Sequence, residues 1–165
     1  MSLPSLDASY WNDRYSDGNT GWDLGAPSTP LKTYFDQLEK KEMKILIPGC
    51  GHAWEAEYLH QLGFSNVYLI DLAPQAIETF LNRVSDFPEK HVIQGDFFHL
   101  EEQFDMIVEQ TFFCAINPSL RSTYVKQAWN LLHEKGRLVG LLFDFEFGNN
   151  HPPFGGSKRE YVELF

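Results

Sequence analysis

Short apolar runs and helix-like spacings alternate along most of the chain. Five runs are short, apolar and bounded by turn residues, and each is predicted to be a buried strand: 44–48, 67–71, 91–94, 104–109 and 137–143. Helical periodicity predicts five helices around them: 30–41, 53–62, 74–84, 118–133 and 157–165. Strands that alternate with helices indicate βαβ crossovers. The predicted fold class is therefore α/β, a doubly wound and mostly parallel sheet.

Residues with known preferences for helix ends bound several of these predicted helices. Thr29 and Asn117 are candidate N-caps, and Ser157 has capping-box spacing to Glu160. Gly136 is the candidate C′ residue of the fourth helix. Residues 1–30 are rich in Trp, Tyr, Asp and Gly and show little sign of a strand, while residues 148–156 form a Gly/Pro/Asn loop.

Candidate ligand-binding residues follow the predicted strands. In open α/β sheets, ligands bind beyond the carboxyl ends of the strands. Gly49 and Gly51 follow the first strand and let the backbone approach a ligand closely, although a purely structural turn is the alternative. Asp71 ends the second strand, and its carboxylate suits two ribose hydroxyls or a helix cap. Asp96 precedes two phenylalanines, which suits the amine of a stacked purine or a plain turn.

The spacing of the glycines distinguishes between classes of nucleotide cofactor. A dinucleotide-binding loop needs a third glycine for close helix packing, and Trp54 occupies that position here. NAD and FAD are therefore disfavoured, and the P-loop sequence is absent. A nucleoside without a pyrophosphate fits better, and S-adenosylmethionine (SAM) is such a ligand.

Composition narrows the function classes. The 165 residues carry a formal net charge of −10, which makes nucleic acid and anionic membrane surfaces poor partners. Cys50 and Cys114 are too few for a disulfide scaffold, and with no signal peptide or apolar span they favour a cytoplasmic protein. No metal is expected, because the spacing of His52 and His60 does not suit one site.

Several segments together carry a family resemblance. WNDRYSDGNTGWDLGAP, ILIPGCGHAWE, VYLIDLAPQAI, GDFF, FDMIVEQTFFCAINPSLRSTY and HPPFGG resemble the thiopurine S-methyltransferase family, from about residue 10 to the end of the chain. That family also includes plant thiol and halide methyltransferases. The resemblance implies a class I SAM-dependent methyltransferase with a Rossmann-like fold, in which residues 1–30 form an aromatic segment that covers the cofactor.

The resemblance also implies roles for individual residues. Gly49, Cys50 and Gly51 contact the methionine portion of SAM. The ribose lies at Asp71 and Leu72, and the adenine lies at Asp96 and Phe97. Three N-terminal aromatic residues pack around the cofactor, where they attract a sulfonium as they would other cations; a core-anchoring role is the alternative for the tryptophans. These are Trp11, Tyr15 and Trp22.

Departures from the family pattern bear on the methyl acceptor. Ala53 replaces a common third glycine, and Glu109-Gln110 stands where the thiopurine branch usually has Asp-Arg. Because FFCAI is closer to the plant branch, we expect a small soft nucleophile: a thiol, thiopurine, hydrosulfide or halide. Methyl transfer to such a nucleophile needs alignment more than a catalytic triad.

The predicted acceptor side centres on the fourth strand. Glu109 is the candidate catalytic residue, either orienting the cofactor amine or helping to deprotonate a thiol. The substrate pocket is expected to be walled by Phe112, Phe113 and Phe154. Arg121 is a candidate for attracting an anion, with a surface ion pair as the alternative. Cys114 has apolar neighbours and is expected to be a buried, inert thiol.

The length fits one domain, 1–165, but the strand count is low for this fold. Class I methyltransferases normally add two more strands after the fifth, and these two C-terminal strands are apparently lacking. We therefore expect either a truncated product or a fifth strand covered by another copy of the chain, as in a homodimer. Two other functions remain open: a non-catalytic or truncated SAM-binding module, and an NAD-linked oxidoreductase, against which Trp54 argues.

Overall fold

A five-stranded sheet organises the protein, whose computed structural model describes residues 3–165. Met1 and Ser2, the first residues of the predicted 1–30 cover, lie outside the described residues. The strands are β1 (Ile45–Pro48), β2 (Val67–Asp71), β3 (Val92–Gln94), β4 (Phe104–Gln110) and β5 (Leu132–Leu141). The α-helices are α1 (Ala8–Ser16), α2 (Thr29–Phe35), α3 (Trp54–Gln61), α4 (Pro74–Arg83), α5 (Arg121–Leu131) and α6 (Lys158–Leu164).

The strand order places the carboxyl ends of β1 and β4 side by side. The order is β3-β2-β1-β4-β5, and every neighbouring pair is parallel. The chain runs outward from β1 to β3 and then returns to β4 on the other side of β1. The predicted doubly wound α/β fold is confirmed, and the crevice where the strand order reverses lies above β1 and β4.

Both faces of the sheet are covered. Ile45 and Ile47 of β1 belong to one apolar cluster, and Leu46 between them belongs to the cluster on the opposite face. All three are buried. Because both faces are packed, the central strands read as continuous apolar runs rather than as alternating patterns.

The helix ends differ from the predictions in a few places. Helix α1 was not predicted; it begins at the Asp7 cap, whose carboxylate accepts from Tyr10 N, and it buries no residue of its own. Ser28, not Thr29, is the N-cap of α2. Gly136 as C′ residue was wrong, because α5 ends at Leu131 and pairing with β4 begins at once. The cap at Ser157 is confirmed by a 3.2 Å bond from Glu160 N.

Strand β5 forms one edge of the sheet. Within residues 3–165 its one strand neighbour is β4. Six large apolar side chains in and after it are exposed within the described residues: Leu141, Leu142, Phe143, Phe145, Val162 and Phe165. The expectation that a second copy covers this edge stays a prediction. In the described part of the chain, no helix has the length and apolar character needed to cross a membrane.

Gly140 lets β5 approach β4 beside Glu109. A Cβ at Gly140 would collide with the backbone carbonyl oxygen and the Cβ of Glu109. We expect Gly140→Ala to lower the free energy of unfolding by about 1–3 kcal/mol, the usual cost of overpacking. Gly21→Ala is the matched control, because a Cβ there meets no atom within 4 Å. Urea denaturation measures both variants, and equal unfolding midpoints would contradict the prediction.

Candidate active site

The loop between β1 and α3 is held in a conformation that requires glycine. Gly49 and Gly51 have φ angles of +54° and +52°, in the left-handed region that glycine adopts without steric cost. Aromatic rings lie directly against both residues. A Cβ at Gly51 would be 2.6 Å from Tyr15 Oη, and one at Gly49 would collide with the ring of Phe112. The loop therefore has room for backbone alone on these faces.

Asp71 ties this loop to the end of β2. Its Oδ2 accepts from Gly51 N at 2.8 Å, and its Oδ1 accepts from Ala73 N at 2.9 Å. Burial raises the pKa of Asp71, and the backbone hydrogen bonds oppose that rise. A carboxylate has about four lone-pair sites. Two acceptor positions therefore remain, which suits the two hydroxyls of a ribose.

Asp96 lies beside Asp71 at the same edge of the sheet. Gly95 N donates to Asp71 O at 2.9 Å, which joins the loop after β3 to β2. Asp96 Oδ1 accepts from Phe98 N at 2.9 Å, so the turn is stabilised by one of its oxygens. The side chain is 38% exposed, and its Oδ2 lies 3.4 Å from Nδ1 of the exposed His99. An amine donor can therefore reach Asp96.

Glu109 is a buried carboxyl near the end of β4. It is 2% exposed, and its Oε1 accepts from Phe113 N. That bond supports a strained turn in which Thr111 has a φ of +57°. Its Oε2 has no hydrogen-bond partner within residues 3–165. Burial raises the pKa of Glu109 to about 8, so this carboxyl exchanges a proton near neutral pH.

Aromatic rings surround the acceptor side of the crevice. Phe112 lies 5.4 Å from Phe97, and Phe113 lies 5.1 Å from Tyr124, measured between ring centroids. The loop near the C-terminus closes this side, because Phe154 N donates to Cys114 O at 2.7 Å. The backbone of Phe154 is thereby held next to the segment that carries Phe112 and Phe113, and a pocket walled by these three phenylalanines stays a prediction.

The two cysteine thiols stay protonated, and Arg121 binds other residues of the chain. Burial raises the pKa of Cys114 to about 12 and that of Cys50 well above its usual value. Both are therefore neutral thiols. Arg121 donates to Glu160 at 2.7 Å and to Gly155 O at 2.6 Å, which anchors the C-terminal segment to α5. An anion would have to compete for these two donors.

The predicted N-terminal aromatic residues form one cluster. The ring of Trp22 lies 5.8 Å from that of Trp11 and 5.8 Å from that of Tyr15. Tyr15 connects the cluster to Gly51, and burial raises its pKa. Helix α1 is held near α4 because Gln75 N donates to Asn12 Oδ1 at 3.0 Å. The residues 3–28 are called the cover below.

The structure adds site residues that the sequence did not identify. Asn12 supplies a cap to α4, Tyr124 lies in the acceptor wall with an unpaired hydroxyl in the described structure, and Asp23 connects the cover to α3. For Asp23, the one signal in the sequence was the Trp22-Asp23 dipeptide. Leu72 is half-buried next to Asp71. Among residues 3–165, no three His, Cys, Asp or Glu side chains are grouped to hold a metal ion.

Comparison with known proteins identifies relatives along almost the whole chain. The family model for thiopurine S-methyltransferase matches residues 6–165. A probable thiol methyltransferase 2 from Arabidopsis thaliana is 29% identical over 159 residues, covering 93% of this chain and 70% of that protein. A thiopurine S-methyltransferase from Photobacterium profundum is 24% identical over 177 residues, covering 97% of this chain and 83% of that protein.

The fold also matches a solved methyltransferase. The structure of 1,6-didemethyltoxoflavin-N1-methyltransferase from Burkholderia thailandensis, with bound 1,6-didemethyltoxoflavin and S-adenosylhomocysteine, has a TM-score of 0.76. It is 20% identical, and the match covers 95% of this chain and 73% of that chain. At this identity the likeness shows the shared fold.

The buried Glu109 predicts a pH-dependent stability. Because its folded-state pKa is about 8 and its ordinary value is 4.5, the unfolded chain loses the proton first as the pH rises. The free energy of unfolding therefore falls between about pH 4.5 and pH 8. We expect Glu109→Gln to reduce this fall by a few kcal/mol, since each pKa unit corresponds to about 1.4 kcal/mol.

Urea denaturation across this pH range measures the effect. Glu39→Gln is the matched control, because Glu39 is exposed on the surface and its loss leaves the slope unchanged. Parallel curves for the wild type and Glu109→Gln would show that burial does not retain the proton.

Proposed function

The chain belongs to the thiopurine S-methyltransferase family and is a SAM-dependent methyltransferase, and we propose that its acceptor is a small soft nucleophile. Thiols, thiopurines, hydrosulfide and halides form this class. One observation carries the proposal: at the carboxyl ends of the strands, polar groups of the kind that bind a cofactor lie near a cluster of aromatic side chains. Glu109, whose Oε2 is buried without a partner among residues 3–165, supports the turn that carries Phe112 and Phe113.

The cofactor side has the donors and acceptors that SAM needs. In the proposed complex, Gly49, Cys50 and Gly51 lie along the methionine portion. Asp71 offers its two remaining acceptor positions to the ribose, next to Leu72. The partly exposed Oδ2 of Asp96 accepts from the adenine amine, with Phe97 beside the ring. This fit is supported by the hydrogen-bond capacity left on both carboxylates.

Methyl transfer from a sulfonium is an in-line displacement, and SAM supplies the methyl group and the sulfur leaving group. The chain supplies alignment and exclusion of water. The cover places Tyr15 on the glycine loop, and Trp11 and Trp22 lie behind it. Their ring faces favour a positive charge nearby, which supports a role in holding the sulfonium end of the cofactor.

Glu109 is proposed to accept the proton of a thiol acceptor. It keeps one oxygen free of protein partners in the described structure, and its raised pKa makes it a stronger base than an exposed glutamate. Orienting the amine of SAM is the second role that the same oxygen can perform. Proton acceptance matters only for an acceptor that carries a proton, whereas orienting SAM matters for every acceptor.

The acceptor wall supports a soft, weakly hydrated nucleophile. Phe112, Phe113 and Phe154 have carbon surfaces, while the two terminal nitrogens of Arg121 are engaged by Glu160 and Gly155. Gln110 stands where the thiopurine branch has Arg, and its Oε1 is buried without a partner in residues 3–165. A neutral amide at this place favours thiols and halides over an acceptor that needs a cationic partner.

A non-catalytic SAM-binding module is the second candidate function. It is favoured by the exposed apolar surface along β5 and after it, where Phe143 and Phe145 are 41% and 63% exposed. Such a surface is typical of proteins that act through a partner.

Incubation with SAM and a pool of thiols, iodide and thiopurines, followed by mass spectrometry, tests the proposal. We expect methylated thiols or methyl iodide, with less product from thiopurines. SAM binding measured by calorimetry without any methylated product would favour the non-catalytic module. An absence of both binding and product would contradict the proposed function.

Iodide and thiols distinguish the two roles of Glu109. If Glu109 takes a proton from the acceptor, Glu109→Gln lowers kcat/KM for a thiol by roughly 100-fold, a typical general-base contribution. Iodide has no proton to lose, so its kcat/KM stays nearly unchanged. Steady-state kinetics with both acceptors measures the split, with Glu39→Gln as control. Equal losses for both acceptors would instead assign Glu109 to the cofactor.

A further inference from the structure

One carboxylate connects the cover to the start of α3. Asp23 Oδ1 accepts from Trp54 Nε1 at 2.6 Å and from Gly25 N at 2.7 Å. Its Oδ2 pairs with His52 Nδ1. The side chain of Asp23 is 15% exposed, so these bonds are largely shielded from water. His52 and Trp54 both follow the glycine loop directly in sequence.

The receiving side of this contact is rigid. The guanidinium of Arg83 lies 3.8 Å from the ring centroid of Trp54. Arg83 also donates to Glu57 Oε2 at 2.7 Å and to His52 O at 2.5 Å. Helix α4 thus fixes Trp54 and the backbone of His52 through one side chain. Asp23 therefore binds two residues that Arg83 also contacts.

The position of Asp23 determines where the aromatic cover lies. Trp22 precedes it, and the Trp22 ring contacts Trp11 and Tyr15. Tyr15 also contacts His52, with ring centroids 5.2 Å apart, and its hydroxyl lies against Gly51. A displacement of Asp23 would therefore move the rings that face the cofactor loop.

Other contacts that hold this segment are partly exposed or polar. Helix α1 has no fully buried residue, and its large aromatic side chains are half-buried. Two hydrogen bonds add to the aromatic contacts: Gln75 N donates to Asn12 Oδ1, and Ser28 N, at the end of the cover, donates to Glu55 Oε1 at 3.2 Å. Burial opposes the charge on Asp23, but the bonds from Gly25, His52 and Trp54 outweigh it and hold its pKa below the ordinary value. The carboxylate is thus ionised, and each of its two oxygens has a hydrogen-bond partner.

We propose that Asp23 is a positioning residue that latches the cover onto the cofactor loop through His52 and Trp54, and so controls the affinity for SAM. This inference rests on the proposed function. Asp23 makes no contact with the reacting atoms in this scheme. It acts through Trp22 and Tyr15, so its loss changes cofactor binding rather than the methyl-transfer step.

Calorimetry and kinetics on the full chain test the latch. We expect Asp23→Ala to raise the Kd and the KM for SAM by about tenfold or more, because one charge-assisted hydrogen bond is lost. The kcat at saturating SAM is expected to change by less than about twofold. Asp23→Asn keeps an acceptor for Trp54 but loses the negative charge, so its Kd lies between those of the wild type and Asp23→Ala. Asp13→Ala is the matched control on the same segment, because Asp13 is exposed.

A second readout does not depend on SAM. Limited proteolysis of the ligand-free protein should cleave the cover faster in Asp23→Ala than in the wild type or Asp13→Ala. Asp23→Asn and His52→Gln give the same test with smaller changes, in case Asp23→Ala does not fold. Faster cleavage supports the latch even if the wild type fails to bind SAM, a result that would contradict the proposed function alone.

Three results would overturn the latch. The first is a Kd for SAM in Asp23→Ala equal to that of Asp13→Ala. The second is a loss of kcat with an unchanged Kd, which would place Asp23 in the chemical step. The third is unchanged proteolysis of the cover in both Asp23 variants and in His52→Gln.

Discussion

The hydrogen bond from Gly51 N to the carboxylate of Asp71 holds together the cofactor side of the crevice. It joins the loop after β1 to the end of β2, and strands β1 and β2 are neighbours in the sheet. The bond forms because Gly51 adopts a left-handed conformation that directs its N–H toward β2. The same bare backbone admits the hydroxyl of Tyr15. Gly51 therefore shapes the loop, donates to the Asp71 carboxylate and leaves room for Tyr15 of the cover.

Glu109 has a comparable position on the acceptor side. One of its oxygens supports the turn after β4 by accepting from Phe113 N, and the other stays free within the described structure. Gly140 permits β5 to pack directly on its backbone. The sheet thus buries a carboxyl that water would otherwise keep ionised, and this burial raises its pKa to about 8, which suits the proposed role as a base.

The cover depends on polar contacts more than the rest of the fold does. The central strands are held by apolar packing on both faces, whereas α1 has no buried residue. Segments with few buried apolar contacts open at a lower free energy than the core. This balance of contacts suits the proposed role of the cover, because its position depends on a small set of charged and aromatic contacts.

The sequence alone determined the α/β fold, the order of the strands along the chain and the acids at their ends, because these depend on local periodicity and on turn residues. Gly49, Gly51, Asp71, Asp96 and Glu109 were all identifiable in this way. The missed elements depend on distant partners: α1 lacks an apolar stripe, and strand β5 begins five residues before its predicted start because of pairing with β4. The contacts of Asp23 with His52 and Trp54 span about thirty residues of sequence. The tertiary structure alone decided them, because spacing in the chain does not record which side chains meet when separate elements pack.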